Sequence, residues 1–496
     1  MLSPATLGLL AVGVVLGMVV GVMPGLGPSA GIAILLPLTL DMDATGAVVM
    51  LAAIYYGAMY GGTITSVLVN TPGESAAVAS TFDGYPLAKA GRAGPALVLA
   101  AVASFVAGIL GVVLVAVTAP VAAGLAASFG PPELLLVVIA GLLTIIAVMG
   151  GNRMLGALSA LIGFAIATVG VDLDTGAQRY TFGSPELIDG IDFIPVAIGL
   201  FGVGEILWSV WRGEHRGPRA SFSVRAVLGD LWPSVAEWLE VKWTMLRGSV
   251  LGFVVGLVPG AGATVASLAA YSVEKSVSKD PRRFGKGAMP GLVGPEAANN
   301  GASAGAMVPL LTLGVPGSAS TAVLLAGFLA WGLQPGPRLL EEHPEFAWGL
   351  IASMFLGNMM LLVVNVAAIP IFASIAKVPL RLLAPAIVVV CALGAFTVHG
   401  SIIEVGIMLA CGVLGFYLKR FGMSPAALVI ALVLGPLAEK SLRQTLIISH
   451  GSFDIFLQRG ASQVLLCFVA VLLVLPVVIG RIRAWQARRA EPAHRP

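Results

Sequence analysis

Runs of about twenty apolar residues, the length an α-helix needs to cross a bilayer, recur along almost all of this chain. They fall near 5–22, 44–70, 93–118, 132–150, 153–171 and 191–211, then near 247–259, 296–335, 347–376, 382–398, 401–418, 424–438 and 462–480. Hydrophobic residues make up 58% of the 496 positions and charged residues only 11%. Soluble domains carry charge at roughly a quarter of their positions, so most of this chain's outer surface must face lipid. The expected fold is all-α and polytopic, with roughly 10–12 transmembrane helices. Apolar pieces at 29–40 and 261–274 follow Pro-Gly pairs and are too short to cross, which predicts broken or re-entrant helices.

The remaining totals exclude other classes. The 62 glycines and 31 prolines sit inside the apolar runs, so collagen-like and disordered chains are ruled out. A net charge of +3 says nothing of nucleic acid, because membrane proteins gather Lys and Arg in cytoplasmic loops. Cys391, Cys411 and Cys467 lie in apolar stretches without a C-x-x-C pair, and the 5 histidines are scattered. Neither a disulfide framework nor a metal site is expected. The first apolar run has no basic n-region before it and is expected to be retained rather than cleaved.

Two motifs recur in order. L-G-M-V-V-G-V-M-P-G-L-G-P-S around Pro24 returns as L-G-F-V-V-G-L-V-P-G-A-G-A-T around Pro259, 235 residues later. G-A-M-Y-G-G-T-I-T-S-V-L-V-N-T-P-G-E-S from Gly57 returns as G-A-S-A-G-A-M-V-P-L-L-T-L-G-V-P-G-S-A from Gly301, with Pro72 and Pro316 244 residues apart. Internal duplication follows: one transmembrane repeat over 1–211, a linker over 212–246, a second repeat over 247–480 and a basic tail over 481–496. In the linker, Leu228, Leu231, Trp232, Val235 and Leu239 stand at helical spacing and predict an amphipathic helix lying on the membrane surface.

Equivalent loops differ in sign. Asp41 and Asp43 follow the first Pro-Gly break, whereas its counterpart is followed by Lys275 to Lys286 with Lys279, Arg282 and Arg283. Lys89 and Arg92 follow the second motif, against Glu341, Glu342 and Glu345 in the other copy. Lys and Arg favour the cytoplasmic side, so equivalent loops lie on opposite sides, as in inverted-topology repeats. The linker and the C-terminal tail are expected to be cytoplasmic.

P-G-x-G-x-[ST] supplies the first candidate site residues: Pro24, Gly25, Gly27 and Ser29, and Pro259, Gly260, Gly262 and Thr264. Proline ends a helical ladder, glycine permits positive φ, and a hydroxyl can cap the helix that restarts. At membrane depth such a break is tolerated only where it is buried or lines a wet cavity. The restarted helix offers free N–H groups and a positive dipole end to an anion. Asn70, Thr71, Pro72, Gly73, Glu74 and Ser75 repeat this logic, as do Pro316, Gly317 and Ser318. With no Lys or Arg in these segments, an anion would be held by dipoles and neutral donors. Glu74 would compete with it for the same N–H groups, and reads instead as a cation or proton carrier. Asn299 and Asn300, beside Glu296, either line the cavity or cap a helix. The Gly-x-x-x-Gly spacings at Gly17, Gly57 and Gly301 also suit plain helix packing, and Glu133, Glu205, Asn358, Asn365, His399 and Glu404 read as isolated helix-end or packing residues.

The paired P-G-x-G motifs, N-T-P-G-E-S followed by F-D-G-Y-P-L-A-K-x-G, and P-E-A-A-N-N-G resemble the large permease subunit of tripartite tricarboxylate transporters (TctA-type) over nearly the whole chain. The resemblance implies a bacterial inner-membrane secondary carrier for carboxylates. It also implies two partners, a small four-helix membrane subunit (TctB-type) and a periplasmic solute-binding protein (TctC-type). The matching positions are Pro24 to Ser29, Asn70 to Ser75, Pro259 to Thr264, Glu296 to Asn300 and Pro316-Gly317. No cofactor is expected beyond a coupling Na+ or H+, since the chain lacks G-x-x-x-x-G-K-[ST] for using ATP. The alternative is a channel or organic-anion permease working without a binding protein. An enzyme is not expected, for neither H-E-x-x-H nor G-x-S-x-G occurs.

Overall fold

The computed structural model describes residues 3–23, 26–148, 153–172, 175–213, 229–260, 262–375 and 380–474. The chain is an all-α polytopic membrane protein. Among the described residues, strand is confined to a two-residue ladder of Gly170–Val171 on Gln178–Arg179. Eight described helices are long and apolar enough to cross a membrane, and five shorter apolar helices accompany them.

The first half runs α1 (Pro4–Val22), α2 (Gly27–Leu35), α3 (Ala44–Val69), α4 (Val78–Lys89), α5 (Ala93–Ala126), α6 (Pro131–Val148), α7 (Arg153–Ala167) and α8 (Phe193–Trp211). The second runs α9 (Val235–Gly256), α10 (Gly262–Val277), α11 (Met289–Gly305), α12 (Met307–Leu313), α13 (Ala319–Ala330), α14 (Pro344–Ala367), α15 (Leu380–His399), α16 (Ile402–Arg420) and α17 (Pro425–Ile448). The three described Pro-Gly pairs, at 72–73, 259–260 and 316–317, fall between helices.

The sequence repeat is also a contact repeat. In lipid, helices associate through close van der Waals approach, which small residues permit. A Cβ at Gly17 or Gly21 would collide with the carbonyl of Ile54 or Ala58; at Gly252 or Gly256 it would collide with that of Ala298 or Ala302. In return, Gly57 and Gly61 lie against the carbonyls of Val14 and Met18, and Gly301 and Gly305 against those of Ser249 and Phe253. Shifting α1 by 235 and α3 by 244 converts each contact of the first set into one of the second. The partners ascend together, so α1 runs parallel to α3 and α9 parallel to α11, with α2 and α10 as the returning pieces.

Contacts between the copies fix their relative direction. The Tyr55 hydroxyl faces Ser303, while Thr63 Oγ1 donates to Glu296 at 2.5 Å. Going up α3 therefore means going down α11. Equivalent spanning helices are antiparallel, and the pseudo-two-fold axis lies across them, as inverted topology requires. Outside this core, helices are exchanged between the copies. Gly163 of α7 abuts Leu428 of α17, and Gly412 of α16 abuts Val203 of α8.

The expected surface helix in the linker takes another form. Residues 214–228, including Leu228, lie outside the described residues. Val235 and Leu239 belong to α9, a single helix running on into the second repeat, so no separate helix ends at 246. Ser234 and Glu237 form a reciprocal capping box that starts α9 there. Its first turns still leave Val235, Leu239 and Trp243 exposed, beside Trp232 just ahead of the cap. The basic loops gather at one end of the molecule: Arg92 bonds Glu237 at 2.6 Å and also pairs with Asp230, and Arg283 bonds Glu240 at 2.9 Å.

Candidate functional site

Where the two copies meet, the four breaks surround a cavity of about 800 Å³. Each break places a helix N-terminus on its wall. Gly27 and Ser29 come from α2, Gly262 and Thr264 from α10, Ser75 and Ala76 from the turn entering α4, and Ser318 to Ser320 from α13. Gly27 (φ +60) and Gly262 (φ +63) are equivalent positions in the same left-handed conformation, which L side chains rarely adopt. These breaks follow from local chemistry rather than from the surrounding fold alone.

The candidates do not share one role. Thr71, Pro72, Gly73, Glu74, Ser75 and Gly260 line the cavity along with the residues just named. Pro24 and Gly25 lie outside the described residues. Pro259, Pro316 and Gly317 form the backing: the Gly260 N–H donates to the Gly317 carbonyl at 3.0 Å, tying the second copy's two breaks together. Asn70 is the left-handed C-cap of α3 (φ 54), and Gly314 is the equivalent cap of α12 (φ 67). Asn tolerates that conformation better than other L residues, so its place is a helix end. Asn300 points away from the cavity, donating to Ser104 Oγ at 2.8 Å and to the Glu296 carbonyl at 3.2 Å. Asn299 is buried behind the wall, and its Nδ2 donates to Glu74 Oε1 at 2.9 Å. Glu74 is thus engaged by a side chain, and no hydrogen bond to the N–H groups of the restarting helix is seen for it among the described residues.

Among the described residues, two cations reach the cavity that the motifs do not contain. Lys419 of α16 and Arg212 at the end of α8 line it, along with Glu205 and Trp208 of α8. Lys419 is ion-paired with Glu205, and the Arg212 guanidinium lies 5.6 Å from the Trp208 ring centre. The reading of Glu205 as an isolated packing residue, and of the anion site as free of Lys and Arg, is therefore corrected. Nothing near Glu205 in sequence announces this pair, because its partner is 214 residues away. The other acids assigned to packing do have partners: Glu133 accepts from Arg459 at 2.6 Å, and Glu404 lies 3.0 Å from His399.

The walls come from two packing groups. Tyr55, Met59, Ala302 and Ala306 belong to the glycine-packed core, whereas Ile145, Phe201, Lys419 and Ile430 belong to the exchanged outer helices. Such a cavity offers N–H dipoles, hydroxyls and two cations to an anion, and a carboxylate to a cation.

The model of the tripartite tricarboxylate transporter TctA family matches residues 7–430. The chain belongs to that family. It is 40% identical over 477 residues, 95% of this chain and 94% of the relative, to an uncharacterized 52.8 kDa protein in the TAR-I ttuC' 3' region of Agrobacterium vitis. A second Agrobacterium vitis protein, uncharacterized and in the TAR-II ttuC' 3' region, is 40% identical over 226 residues, 45% of this chain and 93% of that relative. No solved structure matches. As a TctA-family protein the chain is a multi-pass membrane component of a transporter that has other subunits.

Proposed function

We propose that this TctA-family chain is the large subunit of a binding-protein-dependent secondary transporter that imports di- and tricarboxylates. The observation that carries the reading is the convergence of four helix N-termini, Lys419 and Arg212 on one cavity between two packing groups. Each N-terminus presents about half a positive charge, and buried N–H groups bind carboxylate without the desolvation that a lysine cluster would carry. A substrate with two or three carboxylates can engage the breaks at one end and the cationic wall at the other. Lys419 would exchange Glu205 for a substrate carboxylate. Relative movement of the core and the outer helices would open the cavity to one side and then the other.

The energy source is a Na+ or H+ gradient across the bacterial inner membrane, with the basic end of the molecule and the C-terminus in the cytoplasm. A periplasmic solute-binding protein delivers substrate at the opposite end, and a small four-helix subunit completes the membrane complex. The test is uptake of labelled di-, tri- and monocarboxylates into proteoliposomes containing the chain with both partners. Saturable, gradient-driven accumulation of the polycarboxylates is expected. Flux that neither saturates nor needs the gradient would establish the channel reading instead.

A further inference from the structure

The wall that faces Lys419 with neutral donors also holds one acid, and its surroundings are suited to a cation rather than to an anion. Glu74 lines the cavity and accepts a hydrogen bond from Asn299 Nδ2 at 2.9 Å. Asn299 is fully buried, and its Oδ1 meets no donor among the described residues. An orphaned buried acceptor is costly and asks for an explanation. Tyr55, Ser303 and Ser318 close the group, with the Tyr55 hydroxyl facing both serines. All these donors are oxygen, and no Lys or Arg forms an ion pair with Glu74 among the described residues.

Symmetry sharpens the point. Asn299 is the counterpart of Tyr55, and Glu74 the counterpart of Ser318. The cluster is therefore the place where each copy's helix meets the other copy's break, and only one of the two breaks is charged. Glu296 lies one turn below on α11, but its oxygens are taken by Thr63 and Ser80 at 2.5 Å each.

We infer that Glu74, Asn299 Oδ1 and the Tyr55 hydroxyl form a site for one monovalent alkali cation, Na+, at the crossing of the two copies. A hard oxygen set with a single available carboxylate matches a single positive charge, whereas Ca2+ sites gather more oxygens and more negative charge. This deepens the proposed function by naming the coupling ion. An occupied site removes the negative charge that opposes a carboxylate substrate, so cation and anion favour each other reciprocally.

The test uses the purified full chain in detergent, without substrate or partners. NaCl replaces choline chloride at constant ionic strength while thermal unfolding is followed at pH 8. The wild type is expected to show saturable stabilisation by Na+, with half-saturation raised about ten-fold or more in Glu74→Gln and several-fold in Tyr55→Phe. If Glu74→Gln proves too unstable to measure, Asn299→Ala, which removes the proposed oxygen ligand, should raise the half-saturation several-fold, and an unchanged midpoint there overturns the site. Equal stabilisation by choline, or an unchanged Na+ midpoint in both Glu74→Gln and Tyr55→Phe, overturns the site. Stabilisation on lowering the pH in Na+-free buffer, with no response to Na+, overturns it in favour of a proton. The readout does not involve carboxylate, so Na+ binding without uptake would sink the transport reading alone. Gradient-driven uptake by a chain that ignores Na+ would sink only the cation site.

Discussion

The break at 70–75 and its counterpart at 314–319 begin alike, with Asn70 (φ 54) and Gly314 (φ 67) closing the preceding helix in the left-handed region. Both then pass a Pro-Gly pair whose glycine packs on the α1 or α9 backbone: Gly73 on the Gly21 carbonyl, Gly317 near that of Gly256. At the next residue they part, Glu74 in one copy and Ser318 in the other. Ser318 caps α13 with Thr321, a bond of 3.2 Å that keeps its helix start neutral. Glu74 reaches across to Asn299 instead. The same divergence appears further on, where the buried Asp83 of α4 has Gly327 of α13 as its counterpart. Duplication has preserved what the backbones need in order to approach one another, while at these two equivalent positions the acid stands in one copy only.

The strongest way to break this comparison lies at the shared contacts. Gly21→Val and Gly256→Val each force a branched side chain into a facing carbonyl, of Ala58 or Ala302. Both should destabilise the fold by about 3 kcal/mol or more, and by similar amounts, as read from thermal unfolding in detergent. A tolerated substitution at one position and a severe one at the other would mean that the two packings are not equivalent.

Next comes the unshared anchor. Asp83 Oδ1 accepts from the backbone N–H groups of Gly285, Gly287 and Ala288 at 2.9, 2.7 and 2.8 Å, and Oδ2 accepts from the Tyr271 hydroxyl at 3.0 Å. It thereby pins the second copy's basic loop to the first copy. Asp83→Ala leaves these donors unmatched and should cost about 2–3 kcal/mol. Trypsin would then cut between Lys279 and Lys286 much faster than in the wild type. An unchanged digestion rate would show that the loop is held by other contacts.

A smaller effect is expected at the cationic wall. Lys419→Met removes one charged partner from the cavity and should raise the apparent KM for a tricarboxylate about ten-fold, with a lesser effect on a monocarboxylate. Equal loss for both would assign Lys419 to the fold through Glu205 rather than to substrate.

How much of this was legible in the chain differs between frame and site. The apolar runs, the two offsets and the signs of the loops carried the all-α fold and its duplication, because helix crossing and backbone breaking are written in local composition. Residues within one break could also be grouped by reading along the sequence, and Thr71 to Ser75 do line the cavity together. Contacts between copies left no such trace. Lys419 and Glu205 are paired across 214 residues, and Asp83 and Gly287 across 204. The packing of α16 against α8 of the other half brings Lys419 to the cavity beside Glu205, and no periodicity within either helix encodes it. Asn70 shows the converse: its place in the N-T-P-G-E-S string reads as chemistry, yet a left-handed helix end accounts for it.

The smallest expected effect tests the symmetry most finely. Ser75 Oγ lies 3.0 Å from Thr264 Oγ1, a single hydroxyl bridge between the first copy's second break and the second copy's first break. The symmetry-related pair is Ala319 and Ser29, where one hydroxyl is missing. Ser75→Ala should therefore make the two crossings alike, at a cost of only about 0.5–1 kcal/mol. Ala319→Ser offers the reverse change and should restore a bridge to Ser29, recovering stability in the double variant. If the bridge matters only as one weak bond, both single variants shift thermal unfolding slightly and in opposite directions, while uptake is unchanged. A marked loss of uptake in Ser75→Ala with normal stability would instead make that hydroxyl a ligand for cargo, and the difference between the two crossings would then be functional at a second position besides Glu74.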